Sequence, residues 1–352
     1  MNETTASTDP TVSVVACGGT IASEPSDDGA APEKTGDDLV AAVPGIETYA
    51  TVSAREVCRR PGFDVRWRDV LATADAVRDA VATGADGVVV THGTDTLADT
   101  AFALDLLTDL PAPVVVTGSQ RRLDEPSSDA PANLTLAVRA AADSRFAPGV
   151  HVAFDDELHA ARDVVKAHTN ALSTFTSPST GPVATFTRAD CRLLREPRRE
   201  VAADPLDVSD ASSENVDTPE SPEVPETTVI PEVPIVHSGT GAGAGGIERA
   251  LDADVGGIVV EGTGLGNATA AIGDAVAKAV ETVPVVVASR VHAGPTEPVY
   301  GTGGGAVTLD GHGVVFADEL PAAKARIALA LGLAAGVDRE VLPDLLRPPA
   351  RV

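Results

Sequence analysis

The first half of the chain alternates two patterns. Short valine-rich runs, VSVVA (12–16), GVVVTH (87–92), APVVVTG (112–118) and PGVHVAF (148–154), are apolar throughout rather than at every second position. Between them lie alanine-rich stretches with helical spacing, such as VLATADAVRDAVATG (70–84) and ANLTLAVRAAADS (132–144). Strands apolar on both faces are covered on both faces, so the pattern predicts an α/β fold with a mostly parallel sheet flanked by helices. From Arg199 to Pro234 the rhythm stops. VAADPLDVSDASSENVDTPESPEVPETTVIPEVP is rich in Pro, Ser, Asp and Glu and reads as a solvated linker. Beyond it DVGGIVVEGTGLGN (254–267) is a strand running into a Gly-rich turn and AAIGDAVAKAVET (270–282) is helical. VPVVVASRV (283–291) is a strand again, and PAAKARIALALGL (321–333) is a late helix with Pro321 in its first turn. The expected organisation is a larger N-terminal domain over 1–198, an acidic linker over 199–234 and a smaller C-terminal α/β domain over 235–352. No internal repeat is visible.

Charge narrows the class of partner. Among 352 residues, 52 are acidic and 26 basic, a formal net charge of -26. Such a surface repels nucleic-acid phosphates and anionic membranes, so neither is an expected partner. The lysines are Lys34, Lys166, Lys278 and Lys324; every other basic residue is an arginine. Lysine depletion, acidic excess and few aromatics resemble proteins of salt-loving archaea, in which molar salt screens self-repulsion. Cys17, Cys58 and Cys191 are widely spaced and give neither a metal pattern nor a disulfide framework, which suits a reduced, cytoplasmic protein. The opening MNETTASTDP is polar and acidic, so no signal peptide is expected, and no run of about 18 apolar residues predicts a membrane span.

Three segments can carry chemistry. ACGGTIAS ends the first strand in two glycines and a hydroxyl, with Cys17 and Thr20 both conceivable nucleophiles. Glycines there let the backbone turn sharply and approach a ligand, although a plain turn would look the same. In GVVVTHGTDTLADTAFALDLL (87–107), Thr96 and Asp99 read as a capping box, with Leu97, Ala101 and Leu104 on one helix face. That leaves His92, Thr94 and Asp95 in the turn; His92 either relays protons or holds the loop. In ARDVVKAHTNALSTFTSPSTGP (161–182), Lys166 follows two valines in a chain that otherwise prefers arginine. Lysine can give up its proton when buried and arginine cannot, though a lysine at a strand edge with its head in water is the alternative. Arg162 and Asp163 read as an orienting or surface pair. A threonine hydroxyl, a Thr-Asp pair, a lysine base and Gly-rich backbone amides together suit acyl transfer.

CGGTIAS, THGTDTLADT and ARDVVKAHT, in this order, resemble the signature segments of bacterial-type L-asparaginases, of the asparaginase/glutaminase family. LVAAVPG (39–45), VTGSQRRLDEPSSDAPANL (116–134), VEGTGLGN (260–267) and VASRVHAG (287–294) extend the likeness from Val12 to Leu333. The resemblance implies hydrolysis of the L-asparagine side-chain amide through an acyl-enzyme on Thr20. Thr94, Asp95 and Lys166 would form the second catalytic group, with Lys166 as base and Asp95 gripping the substrate's amino group. Gly19 would line the substrate, Ser119 would lie near the leaving amide, and Asn267 would reach a neighbouring chain's site in a homodimer or homotetramer. No metal or organic cofactor is implied. The family's loop tyrosine after GGTIA has no counterpart in EPSDDGAAPEKTG (24–36); Tyr49 lies beyond, in what reads as the next strand, and Tyr300 lies in the PVYG segment. The family's Ser-containing pair that grips the α-carboxylate falls on Gly62 and Phe63, leaving backbone amides for that task.

Other readings share the residues. TGSQRRLDEPSSDA is also similar to the glutaminase-like subunit of the archaeal tRNA-dependent amidotransferase, in which a small β domain precedes this part; here Val12 already opens the first strand. A non-catalytic amino-acid sensor would explain the altered loop but not the intact Thr20, Thr94, Asp95 and Lys166. A cysteine amidase through Cys17 lacks an identifiable histidine partner, and Cys17 reads as a packing residue. The charge balance carries its own test: dialysis from molar to millimolar salt is expected to abolish the folded circular-dichroism spectrum, whereas an unchanged spectrum would remove the salt-adaptation reading.

Overall fold

The consecutive valines occupy the middle of a sheet. The computed structural model describes residues 9–25, 29–197, 204–208 and 229–348, and the chain divides into two compact units, Met1–Arg199 and Glu200–Val352. The first unit begins with β1 (Thr11–Gly18), a small hairpin of β2 (Ser23–Glu24) and β3 (Ala31–Pro32), α1 (Gly36–Ala41) and β4 (Thr51–Arg60). It continues through α2 (Trp67–Ala82), β5 (Gly87–Thr91), α3 (Leu97–Leu107), β6 (Val114–Thr117), α4 (Ala130–Ala141) and β7 (Val150–Phe154). It ends with β8 (Glu157–Ala160), β9 (Val165–Lys166), β10 (Phe175–Thr176), β11 (Ala184–Phe186) and β12 (Cys191–Leu193).

The main sheet has eight strands in the order β12-β11-β8-β7-β6-β5-β1-β4. Its β4-β1-β5-β6-β7 half is parallel, and β8, β11 and β12 add an antiparallel extension. Val14, Val15, Val88, Val89, Val90, Val115 and Val116 are all buried, as strands covered on both faces must be. β4 differs. Among the described residues it pairs on one side only, and Arg55, Glu56, Arg59 and Arg60 mark it as a charged edge. Leu97, Ala101 and Leu104 pack inward as expected, but Phe102, Ala103, Leu106 and Leu107 are buried too, so α3 is covered all round.

The second unit carries four parallel strands in sequential order, β13 (Ile235–His237), β14 (Ile258–Gly262), β15 (Val285–Ser289) and β16 (Val315–Pro321). With them come α5 (Gly245–Asp252), α6 (Ala270–Ala279), α7 (Ala306–Gly311), α8 (Ala322–Ala334) and α9 (Leu342–Leu346). Pro321 precedes α8 as its cap. A larger mostly parallel unit and a smaller parallel one match the expected fold class. Most of the acidic stretch lies outside the described residues; its pieces 204–208 and 229–234 form no helix or strand. Leu206, Val208 and Val233 within them are buried, so these pieces are not the solvated tether that composition suggests. Among the described residues no helix is long and apolar enough to cross a membrane.

One buried group makes the first unit sensitive to acid. His151, in the middle of β7, is fully buried and packs edge-on against Phe146 at 5.8 Å between ring centroids. Among the described residues neither of its ring nitrogens has a well-formed hydrogen bond. Burial, reinforced by the nearby Arg195 guanidinium, lowers its pKa to about 4. An unfolded imidazole titrates near ~6.5. Above that value both states are neutral and stability is full. Between there and about 4 the unfolded chain binds a proton the folded chain refuses, and stability is lost. The displacement corresponds to about 3 kcal/mol. Urea unfolding at molar salt should therefore show stability falling from pH 7 to pH 4, and His151→Phe should remove most of that fall; His92, also held low by burial, adds to it in the same direction.

Candidate active site

Four turns line up along one edge of the main sheet. Gly19 and Thr20 follow β1, Gly62 and Phe63 follow β4, Gly93 to Asp95 follow β5, and Gly118 and Ser119 follow β6. β4, β1, β5 and β6 are neighbours in the sheet, so all four turns emerge side by side at the carboxyl ends of parallel strands. The chain runs from β1 outward to β4, then crosses back to β5 on the other side of β1. That reversal is where an open parallel sheet leaves a crevice for a ligand.

The turns meet through glycine. Gly18 and Gly19 have φ of +80 and +84, a conformation that side chains resist. A Cβ on Gly19 would lie 2.3 Å from the Gly93 nitrogen, and one on Gly93 would lie 2.5 Å from Gly62 N and Cα. One on Gly62 would lie 2.9 Å from the Gly93 carbonyl group. Gly19, Gly93 and Gly62 thus stack backbone on backbone, with Gly93 in the middle. Hydrogen bonds lock the stack: Gly19 N donates to Arg60 O (2.9 Å), His92 N to Thr117 O (2.8 Å) and Ser23 Oγ to Gly19 O (2.8 Å). Thr96 Oγ1 donates to Gly62 O (2.6 Å), so its hydroxyl joins two turns and does not cap α3, which corrects the capping box expected at Thr96 and Asp99. His92 is buried, with Nδ1 on Gly93 O (2.8 Å) and Nε2 against Thr100 Oγ1 (3.0 Å). Burial holds its pKa down, and a neutral ring spanning Gly93 and Thr100 fits the loop-holding role.

Lys166 enters from outside this stack. Its Nζ donates to Thr94 Oγ1 at 2.9 Å and to Asp95 Oδ1 at 2.8 Å. Thr94 is buried, Lys166 is half-buried, and the Asp95 carboxylate is 55% exposed. Three polar groups picked out from two separate sequence segments therefore meet. Thr20, partly exposed, heads a short 3-10 turn directly after Gly19, the residue whose backbone touches His92 and Gly93. A hydroxyl, a second hydroxyl held by an amine, and a carboxylate open to solvent form a set suited to acyl transfer on an amine-bearing substrate.

Comparison with known proteins identifies the family. Residues 11–199 match the family model for the asparaginase N-terminal domain, and residues 232–346 match the glutaminase/asparaginase C-terminal domain. The chain belongs to the asparaginase family. It is 33% identical over 339 residues to a probable periplasmic L-asparaginase of Haemophilus influenzae, covering 95% of this chain and 91% of that protein. It is 32% identical to one component of the glutamyl-tRNA(Gln) amidotransferase of Methanothermobacter thermautotrophicus, covering 96% of this chain and 75% of that component. Among solved structures it resembles a probable cytoplasmic L-asparaginase from Campylobacter jejuni, with TM-score 0.80 and 28% identity over 96% of this chain and 99% of that one.

The remaining candidates of this asparaginase-family chain fall into different places. Ser119 is buried and its Oγ donates to Arg121 O (2.7 Å), so its hydroxyl serves its own turn. Phe63 is 78% exposed beside the stack, and Gly62 presents only backbone. Asn267 lies in the second unit, in the turn after β14, where its Oδ1 accepts from Ala306 N (3.0 Å) at the start of α7. Tyr49 sits in the turn before β4, not in a strand, with the Arg139 guanidinium 5.4 Å from its ring centroid. Cys17 is buried with Sγ 3.2 Å from Thr73 Oγ1, and the neighbouring Cys58 thiol together with burial raises its pKa well above the ordinary thiol value. A thiol so placed is a packing residue held in its neutral form.

The stack predicts its own sensitivity. Gly62→Ser should cost about 1–3 kcal/mol in chemical denaturation, because its Cβ meets Gly93 backbone and not a yielding side chain. Gly93→Ala should cost at least as much, being hemmed in by both Gly62 and Gly19.

Proposed function

We propose that the protein is an L-asparaginase that cleaves the side-chain amide of L-asparagine to L-aspartate and ammonia. The observation that carries this reading is Lys166 Nζ bonded to both Thr94 and Asp95 beside the turn that bears Thr20. Thr20 Oγ attacks the amide carbon, and Lys166 takes the hydroxyl proton by way of Thr94. Backbone amides of the Gly19 turn stabilise the oxyanion. As the carbon–nitrogen bond breaks, the proton passes to the departing nitrogen and ammonia leaves. Water then attacks the ester, releases aspartate and returns a proton to Thr20. Asp95, carrying its charge into solvent, receives the substrate's ammonium group. The amides at Gly62 and Phe63 receive the α-carboxylate, and Ser119 contributes backbone near the leaving amide. Asn267 of a second copy completes the site in a homodimer or homotetramer. No cofactor enters these steps.

The likeness to an amidotransferase component supports a second reading, an amidase that supplies ammonia within a larger complex. Purification from the native host at molar salt separates the two. A chain that purifies without a second kind of protein and releases ammonia from free asparagine supports the asparaginase; ammonia release only in the presence of such a partner supports the alternative.

An ammonia-release assay at molar salt across asparagine, glutamine and related amides tests the roles. Thr20→Ala and Lys166→Met should each lower kcat by about 10²–10⁴-fold or more, and Cys17→Ala should keep most activity. Abolition by Cys17→Ala, or full activity in Thr20→Ala, would overturn the assignment. Amino-acid binding with no turnover in wild type would favour a sensor.

A further inference from the structure

Lys166 does not belong to the main sheet. It lies on β9, a strand of two residues that among the described residues pairs with β10 alone, Phe175 opposite Lys166 and Thr176 opposite Val165. Thr94 and Asp95, by contrast, are fastened to the sheet through β5 and the glycine stack. The distance between the amine and its partners is therefore set by whatever holds the ribbon of residues 164–180 in place. A pairing this short specifies its register weakly, and a slip of one residue would turn Lys166 to the opposite face. Val164 is fully buried, and Phe175 meets Phe154 edge-on at 4.9 Å, which fixes the ribbon's depth. Apolar contact is non-directional and does not fix its position along the surface.

Directional contacts come from a side chain three residues before the lysine. The Asp163 carboxylate, only 7% exposed, accepts from Arg195 Nη2 at 2.7 Å and from Thr180 Oγ1 at 2.8 Å, with Arg162 Nη1 at 3.5 Å. Asp163 N donates to Ala160 O at the end of β8. Arg195 lies just past β12, the far edge strand of the main sheet, and Thr180 lies at the end of the ribbon. One carboxylate thus ties both ends of the ribbon to each other and to the sheet. Ser177, directly after β10, adds a second tie, its Oγ 2.9 Å from His159 Nδ1 on β8. The buried environment of Asp163 corrects the surface alternative for this residue and leaves the orienting one.

We propose that Asp163, through Arg195 and Thr180, is a positioning residue that sets where Lys166 meets Thr94 and Asp95. This rests on the proposed role of Lys166 as base. Asp163→Asn keeps the shape but removes the charge that draws Arg195 and Thr180 together. It should lower kcat by about ten- to a hundred-fold with little change in KM, the size expected for a reacting group displaced by about an ångström. On a Lys166→Met background the same change should cost nothing further, because both act through one amine. Thr180→Val should reproduce part of the loss and Thr180→Ser should restore it, which keeps the test open should Asp163→Asn fail to fold.

A second readout needs no turnover. The chain has only Lys34, Lys166, Lys278 and Lys324, so selectively ¹³C-lysine-labelled protein gives few Cε signals, and Lys166→Met assigns the relevant one. In Asp163→Asn or Thr180→Val that signal should move while those of Lys34, Lys278 and Lys324 stay. Unmoved Lys166 resonance, or a loss of thermal stability with kcat within twofold of wild type, would overturn the proposal. Absence of amidase activity in wild type together with a moved Lys166 signal would overturn the asparaginase reading and leave the positioning role standing.

Discussion

Everything at the candidate site depends on three backbones touching. Neighbouring strands in a sheet run about 4.8 Å apart, and turns leaving them normally splay because their side chains need room. Gly19, Gly93 and Gly62 have none to accommodate, and the three turns close to contact. This places the Thr20 hydroxyl and the Thr94–Asp95 pair by main chain, whose conformation is fixed by the strands behind it. No flexible side chain intervenes between the sheet and these groups. His92, Ser23 and Thr96 then bond the carbonyls of the stack itself, so these polar groups serve its rigidity. A preformed constellation of this kind costs little reorganisation when charge develops on a reacting amide.

Lys166 obeys a different constraint. It arrives on a ribbon outside the sheet and is held by an ion-paired carboxylate, not by strand pairing of any length. The site therefore has a welded part and a docked part, and the bond between them is the lysine's contact with Thr94 and Asp95. The chain uses lysine sparingly, and an amine at this junction provides a group that can take and return a proton, which guanidinium cannot. In the asparaginase family, relatives named as L-asparaginases and relatives named as amidotransferase components both resemble this chain over most of its length.

The valine runs at 88–90, 114–116 and 285–287 announced buried parallel strands because such strands have no polar face to display. HGTDT was legible because it carries more polar groups than a turn requires, and Lys166 because lysine is rare here. Other features were not readable for a common reason, namely that their partners are distant in the chain. Thr96 looks like a helix cap, yet its hydroxyl reaches Gly62, thirty-four residues earlier. Ser119 looks like a substrate contact, yet its hydroxyl closes its own turn. Gly62 looks like a lost serine, yet it is one leaf of the stack. Asp163 looks like half of a local pair with Arg162, yet its shortest bonds go to Thr180 and Arg195. β4 was obscured because an edge strand carries charge that a central strand does not.

The central claim is that the Thr20 oxygen carries the acyl group. Protein mixed with asparagine at molar salt, quenched in acid during turnover and analysed by peptide mass spectrometry addresses it directly. An aspartyl ester on the peptide that contains Thr20, absent from protein held without substrate, is the expected result. Modification at Thr94 or Cys17 with the Thr20 peptide untouched would contradict it.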